Sequence, residues 1–292
     1  MGIYEILAYF FVYGVLGWCV EVAFAAVKEG RFVNRGFLNG PICPIYGVGV
    51  VSVIFSLQGF SESLLILYLA SAVLVTFIEW LTGYVMDRIF HQKWWDYSGQ
   101  PLNIGGYVCL PFSLIWGVFC VFIVKCFQPL VAHLIGYIPH IAGIVILVIL
   151  SIAMLADLYV TASAILKLNK RLEAMEKIAA ELREFSDRMG ENIYENVKDG
   201  MEKEEQLKSK VASMKEVRKE LRAEYSAGKE EWYKSQQQKL DELKGRYDSL
   251  VNELGSVGER LVKAFPNMES RIHKDALREV KKRVAMRRNK RK

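Results

Sequence analysis

Two glutamates, Glu21 and Glu79, each interrupt a long apolar run, residues 6–27 around the first and 64–86 around the second. About 20 apolar residues cross a bilayer as a helix. A carboxylate at that depth costs roughly 2.5 kcal/mol or more to insert, so it marks a functional site unless a partner explains it. The chemistry open to such a group is proton exchange, cation binding, or pairing with a buried guanidinium. Asp157 stands in a further apolar run, ten residues before Lys167. It is equally a candidate for this chemistry and for a paired seam between helices.

The stretches that follow the two glutamate runs carry complementary groups. Residues 28–44 hold Arg31, Asn34 and Arg35; residues 88–111 hold Trp94, Trp95, Asp96, Tyr97 and Asn103. Both are rich in Gly, Asn, Pro and aromatics rather than in flexible Ser or Lys, and Asn34, Asn39 and Asn103 can cap broken helix ends. Such backbone is tolerated at membrane depth when protein covers it. In one reading, Phe37, Trp94, Trp95 and Tyr97 form an interfacial aromatic belt while Arg31, Arg35 and Lys93 follow the positive-inside rule. In the other, the loops close a polar pocket around Glu21 and Glu79, and Arg31, Arg35 or Asn34 pairs the carboxylates. The pocket is preferred, because ordinary belts need no buried glutamate. Its candidate binding residues are Glu21, Glu79, Arg31, Asn34, Arg35, Asn103, Asp96, Trp95, Tyr97 and Asp157.

The elements that position these groups read as a duplication. At a constant offset of 70, Gly36, Pro41, Ile45, Gly47 and Val48 recur as Gly106, Pro111, Ile115, Gly117 and Val118, with Tyr46 becoming Trp116. At an offset of 58, Val15, Leu16 and Glu21 recur as Val73, Leu74 and Glu79. Two tandem hairpins of the same orientation are predicted, related by a pseudo-two-fold axis along the membrane normal.

The expected fold is therefore all-α and polytopic, with about five transmembrane helices near 4–27, 42–59, 63–87, 105–126 and 140–166. These make two tandem hairpins (4–59 and 63–126) plus one helix in a domain of residues 1–166. The second span opens with Pro41 and Pro44 and is the one most open to being broken or re-entrant. Lys28, Arg31 and Arg35, then Arg88 and Lys93, then Lys167, Lys170 and Arg171 follow the odd spans. That alternation predicts a multi-pass protein of the cytoplasmic membrane with its N-terminus outside and its tail cytoplasmic. The first apolar run lacks a basic lead-in and a small-residue cleavage site, so it is read as a permanent span.

Charge divides the chain near residue 167. Before it stand six Lys plus Arg and eight Asp plus Glu; from Lys167 onward stand 32 and 24. Residues 167–264 carry apolar positions at alternating steps of three and four, as in Leu168, Leu172, Met175, Ala179 and Leu182. A second such set, interrupted by Arg218, is Leu207, Val211, Met214, Leu221 and Tyr225; a third is Leu240, Leu243, Tyr247, Leu250 and Leu254. This predicts a helical coiled-coil domain able to self-associate or to hold a partner protein. Residues 265–292 form a basic tail, with eleven Lys plus Arg from Arg271 onward. It reads as solvated, with attraction to anionic membrane lipid; the run has no stacking aromatic, which argues against nucleic acid.

No phosphate-binding GxxxxGK[ST], GxSxG or HExxH is present, so no nucleotide, hydrolase or metal chemistry is indicated and no cofactor is expected. The five cysteines show no CxxC spacing. The carrying motifs are Gly17-Trp18-x-x-Glu21, residues 31–47 (RFVNRGFLNGPICPIYG), Glu79, Trp95-Asp96-Tyr97-Ser98 and Pro101-x-Asn103-Ile-x-Gly106, with Phe265-Pro266-Asn267-Met268 in the tail. Together they resemble the multispan proteins of Gram-positive bacteria labelled "putative ABC-transporter permease" (CmpB-type, or type IV). The resemblance implies a permease-like membrane component, with an ATPase subunit in trans as a partner. Two other readings stand beside it: a non-transporting scaffold or regulator recruiting partners through its coiled coil, and a lipid-modifying enzyme using the buried carboxylates.

Overall fold

The computed structural model describes residues 1–57, 59, 62–210 and 215–289. It is all-α apart from two-residue strands. A continuous helix satisfies every backbone group internally, so long apolar runs destined for lipid become helices. Helix α1 (Ile3–Glu29) ends where Gly30 adopts a left-handed φ of 65° and donates its N–H to the Ala26 carbonyl. Irregular backbone then leads to α2 (Pro44–Leu57), and α3 (Leu64–Phe90) follows. The expected second span is thus a helix of 14 residues, ~21 Å long at 1.5 Å per residue. That is less than the ~30 Å of a hydrocarbon core.

After α3 come β1 (Gln92–Lys93) and a tight hairpin of β2 (Asn103–Ile104) and β3 (Val108–Cys109). Helix α4 (Leu110–Phe122) passes through a π-helical turn (Ile123–Phe127) into α5 (Gln128–Gly136). This run reaches beyond the expected end at 126 and carries Lys125 inside it. Pro129 lacks an N–H, and the wider turn absorbs the gap: Gln128 donates to the Ile123 carbonyl, five residues back. Among the described residues, four helices are long and apolar enough to cross a membrane: α1, α3, the run Leu110–Gly136, and α6 (His140–Lys210). Many of their large apolar side chains face outward, among them Val73, Phe77, Ile141, Ile149 and Ile152.

Small residues set how closely these helices pack. A Cβ on Gly47 would stand 2.5 Å from the Phe10 carbonyl oxygen. One on Gly117 would stand 2.9 Å from both the Tyr68 ring and the Ala72 Cβ. These contacts draw α2 against α1 and α4 against α3. Buried clusters fill the seams: Ala8, Phe11, Leu38, Ile42 and Leu147 in one, Val53, Leu57, Leu67 and Cys120 in another.

The chain forms two compact units. One is Met1–Lys170 together with Leu254–Lys292; the other is Arg171–Glu253. In the first unit, α8 (Ser256–Ala264), β4 (Glu269–Ser270) and α9 (Lys274–Asn289) fold against the loops of the apolar helices. β4 pairs antiparallel with β1, Gln92 opposite Ser270. The basic segment, expected to be solvated, is instead an ordered helix. Ala276, Leu277, Val280 and Val284 form a buried stripe on α9, while Lys274, Arg278 and Lys282 stand exposed. Lys281 is held by the carbonyls of Pro266 and Met268. Burial lowers its ammonium below the usual lysine value, against the opposing pull of Glu269.

The second unit comprises the rest of α6 and α7 (Lys215–Asn252). The Arg171 guanidinium donates to the Glu253 carbonyl, joining the two ends of this unit. Ion pairs Glu173–Lys177 (2.8 Å) and Glu184–Arg188 (2.7 Å) lie one turn apart on its surface. The helices run through Gly190, Gly200 and Gly228. Side chains of the second apolar set, Leu207 to Tyr225, lie outside the described residues.

Candidate functional site

The loop after α1 is folded by its asparagines. Asn34 Oδ1 accepts from Trp18 Nε1 (2.8 Å) and from the Gly36 N–H (3.0 Å), while its Nδ2 donates to the Asn39 carbonyl (2.8 Å). Asp157, on α6, receives Asn39 Nδ2 and the Gly40 N–H, both at 2.7 Å. Arg260, on α8, closes the same knot. Its Nε donates to Asn39 Oδ1 at 2.9 Å, Nη1 to the Gly36 carbonyl at 2.9 Å, and Nη2 to the Phe37 carbonyl at 3.0 Å. Burial lowers the Arg260 guanidinium from its ordinary value, and the Asp157 carboxylate opposes the shift.

The loop after α3 follows similar logic. Asn103 donates to the carbonyls of Ser98 (3.2 Å) and Gln100 (2.9 Å) and accepts from the Gly106 N–H (3.3 Å). Asp96 accepts from the Ser98 hydroxyl (2.5 Å) and amide (3.0 Å). Desolvation opposes this, but the Ser98 bonds prevail and hold the carboxyl below its usual value. Trp95 Nε1 donates to the Tyr107 carbonyl (2.8 Å). Gln92 bonds Asn169 on α6 (2.8 Å), which donates in turn to the Phe90 carbonyl (2.6 Å). Arg271 reaches Asp87 at 3.5 Å, and the Tyr107 hydroxyl donates to the same carboxylate at 2.6 Å.

Between the two loops lies a cavity of about 840 Å³ lined by Glu21 and Glu79 together. Glu21 Oε1 accepts from the Tyr46 hydroxyl at 2.8 Å, and Glu21 Oε2 faces Arg35 Nε at 3.6 Å. Glu79 Oε1 accepts from the Tyr97 hydroxyl at 3.4 Å. Burial, with the Glu79 charge second, raises the Tyr97 phenol above its ordinary value, so it stays a donor. Otherwise the walls are aromatic and apolar, with Trp95, Trp116 and Phe119 prominent. The Tyr46 and Trp116 rings meet edge-on at 5.8 Å. Gly17 admits Tyr46: a Cβ there would fall 2.3 Å from its ring. Phe265, just past α8, also lines the cavity and packs edge-on against Trp94 at 4.9 Å.

The ten expected site residues separate into two groups. Glu21, Glu79, Arg35, Trp95 and Tyr97 line the cavity. Asn34, Asn103 and Asp96 instead fold the loops. Asp157 joins the Asn39–Arg260 knot, and Arg31 pairs with Glu29 at 2.7 Å. Sequence reasoning missed Tyr46 as the donor to Glu21. The signal was its place in the duplicated segment, opposite Trp116. It also missed Arg260 and Phe265, whose roles depend on contacts more than 170 residues away in sequence. Among the described residues, no group of three His, Cys, Asp or Glu side chains is placed to hold a metal.

Fold and site together define an all-α polytopic membrane protein with a cavity bearing two carboxylates. The chain belongs to the family described as "Putative ABC-transporter type IV", whose sequence profile matches residues 8–162, more than half its length. The match contains Glu21, Glu79 and Asp157 and ends before Arg260 and Phe265. No curated protein and no solved structure matches the chain.

Proposed function

We propose that this protein is a transporter-like membrane component whose binding site is the cavity around Glu21 and Glu79. The observation that carries this reading is that the two glutamates, each costly alone, line one chamber of ligand size. Binding cavities run from ~300 to ~1,000 Å³ and combine apolar walls with a few polar groups. Tyr46 and Arg35 orient Glu21, and Tyr97 orients Glu79. The segment Leu254–Lys292, anchored by Arg260 and β4, closes one side through Phe265. Matching contacts favour the internal repeat: Gly47 meets Phe10, and Gly117 meets Tyr68, at the same offsets of 70 and 58 that relate the sequences. In this reading the cavity opens toward the cytoplasmic side, and an ATPase in trans drives turnover, since the chain has no phosphate-binding loop of its own.

The test is Glu21→Gln with Glu79→Gln in a growth or uptake assay, beside a truncation after Lys167. The double variant is expected to lose function while still reaching the membrane. If it behaves as wild type and only the truncation is null, the scaffold reading replaces this one. If the purified protein turns over a lipid in a glutamate-dependent way, the enzyme reading does.

A further inference from the structure

Among the groups lining the cavity, the formal charges are Glu21, Glu79 and Arg35. Glu21 and Arg35 face each other, so their charges cancel locally. Glu79 has a different setting. Its hydrogen bond comes from Tyr97 at a long 3.4 Å, and none of the ion pairs among the described residues involves it. The chamber is therefore left with one uncompensated carboxylate in apolar surroundings. Such a group needs a proton or a cation brought by something else.

The walls indicate which kind of cation. A hydrated metal ion requires several oxygen ligands, and the lining offers few. Trp95, Tyr97, Trp116 and Phe119 present aromatic surface, and aromatic faces attract organic cations. Trp95 packs over Gly83, one turn along α3 from Glu79 (3.3 Å from where a Cβ would stand). The volume of about 840 Å³ suits a molecule with several rings or a long chain.

Resting on the cavity reading above, we infer that the ligand class is a bulky amphipathic organic monocation, with its positive charge on Glu79 and its apolar body against the aromatic wall. Charge complementarity selects this occupant over a neutral lipid or an anion.

Two probes of the same shape and opposite charge test it: tetraphenylphosphonium and tetraphenylborate, titrated calorimetrically into the full chain in a neutral maltoside detergent. The cation is expected to bind at least about tenfold more tightly than the anion, a gap of ~1.4 kcal/mol. Glu79→Gln should remove that preference, and Glu62→Gln, an exposed change, should preserve it. If Glu79→Gln does not fold, the wild-type preference alone decides. Equal binding of both probes, or binding of the anion lost in Arg35→Gln, overturns the cation assignment while leaving the cavity as a ligand site. Binding of neither probe overturns both. Cation binding unchanged in a folded Glu79→Gln protein overturns the role given to Glu79.

Discussion

At the scale of single residues, the site depends on hydrogen-bond donors as much as on the acids. Tyr46 gives its hydroxyl to Glu21, and removing one partner leaves a half-buried carboxylate less satisfied. Tyr46→Phe is expected to weaken function in the growth or uptake assay by about tenfold, a loss of ~1.4 kcal/mol, without changing membrane insertion; wild-type activity would remove Tyr46 from the site. The acids themselves were legible in the sequence because an intramembrane glutamate stands out against Leu, Val and Ile. Of their hydroxyl partners, Tyr97 was legible in its aromatic loop, whereas Tyr46 was not, because a tyrosine in an apolar run is also a normal packing residue. Asp157 shows the reverse: conspicuous by the same rule, it caps loop backbone instead of facing the chamber.

At the scale of elements, close helix contact and loop docking are the decisive features. Gly47 meets the Phe10 backbone, which cannot swing away, whereas Gly49 has nothing within 4 Å of a would-be Cβ. Gly47→Ala is therefore expected to cost about 1–3 kcal/mol through overpacking, and Gly49→Ala much less. Thermal denaturation of the purified variants reads the difference, and equal melting temperatures would contradict the α1–α2 packing. Arg260→Ala should cost about 2 kcal/mol, because the Asn39 amide oxygen and the Asn34, Gly36 and Phe37 carbonyls lose a charged donor; the same melting experiment measures it, and Arg260→Lys should restore only part. Hydropathy made the apolar helices visible, although the second came out shorter and the fourth longer than expected. The fourth span was expected to end near 126, but a π-helical turn carries the chain through Pro129. The basic segment was misread because counting its charges hid the stripe of Ala276, Leu277, Val280 and Val284.

At the scale of the whole molecule, the first compact unit is assembled from both ends of the chain. Residues far apart in sequence meet in it: Trp94 and Phe265 at the chamber wall, Asn39 and Arg260 in the loop knot, and Gln92 and Ser270 across paired strands. Nothing in local periodicity encodes such pairings, so the closing segment could not be derived from the sequence. Under the proposed function this chamber is the working site. Cys43 lies buried in its lining and reports on it. The direct measurement is the rate of maleimide modification of Cys43 in a protein whose other four cysteines are serine. Phe265→Ala is expected to raise the rate by opening the closed side, and Gly49→Trp, which fills the chamber, to suppress both labelling and function. Labelling and function unaffected by either change would contradict that role for the chamber.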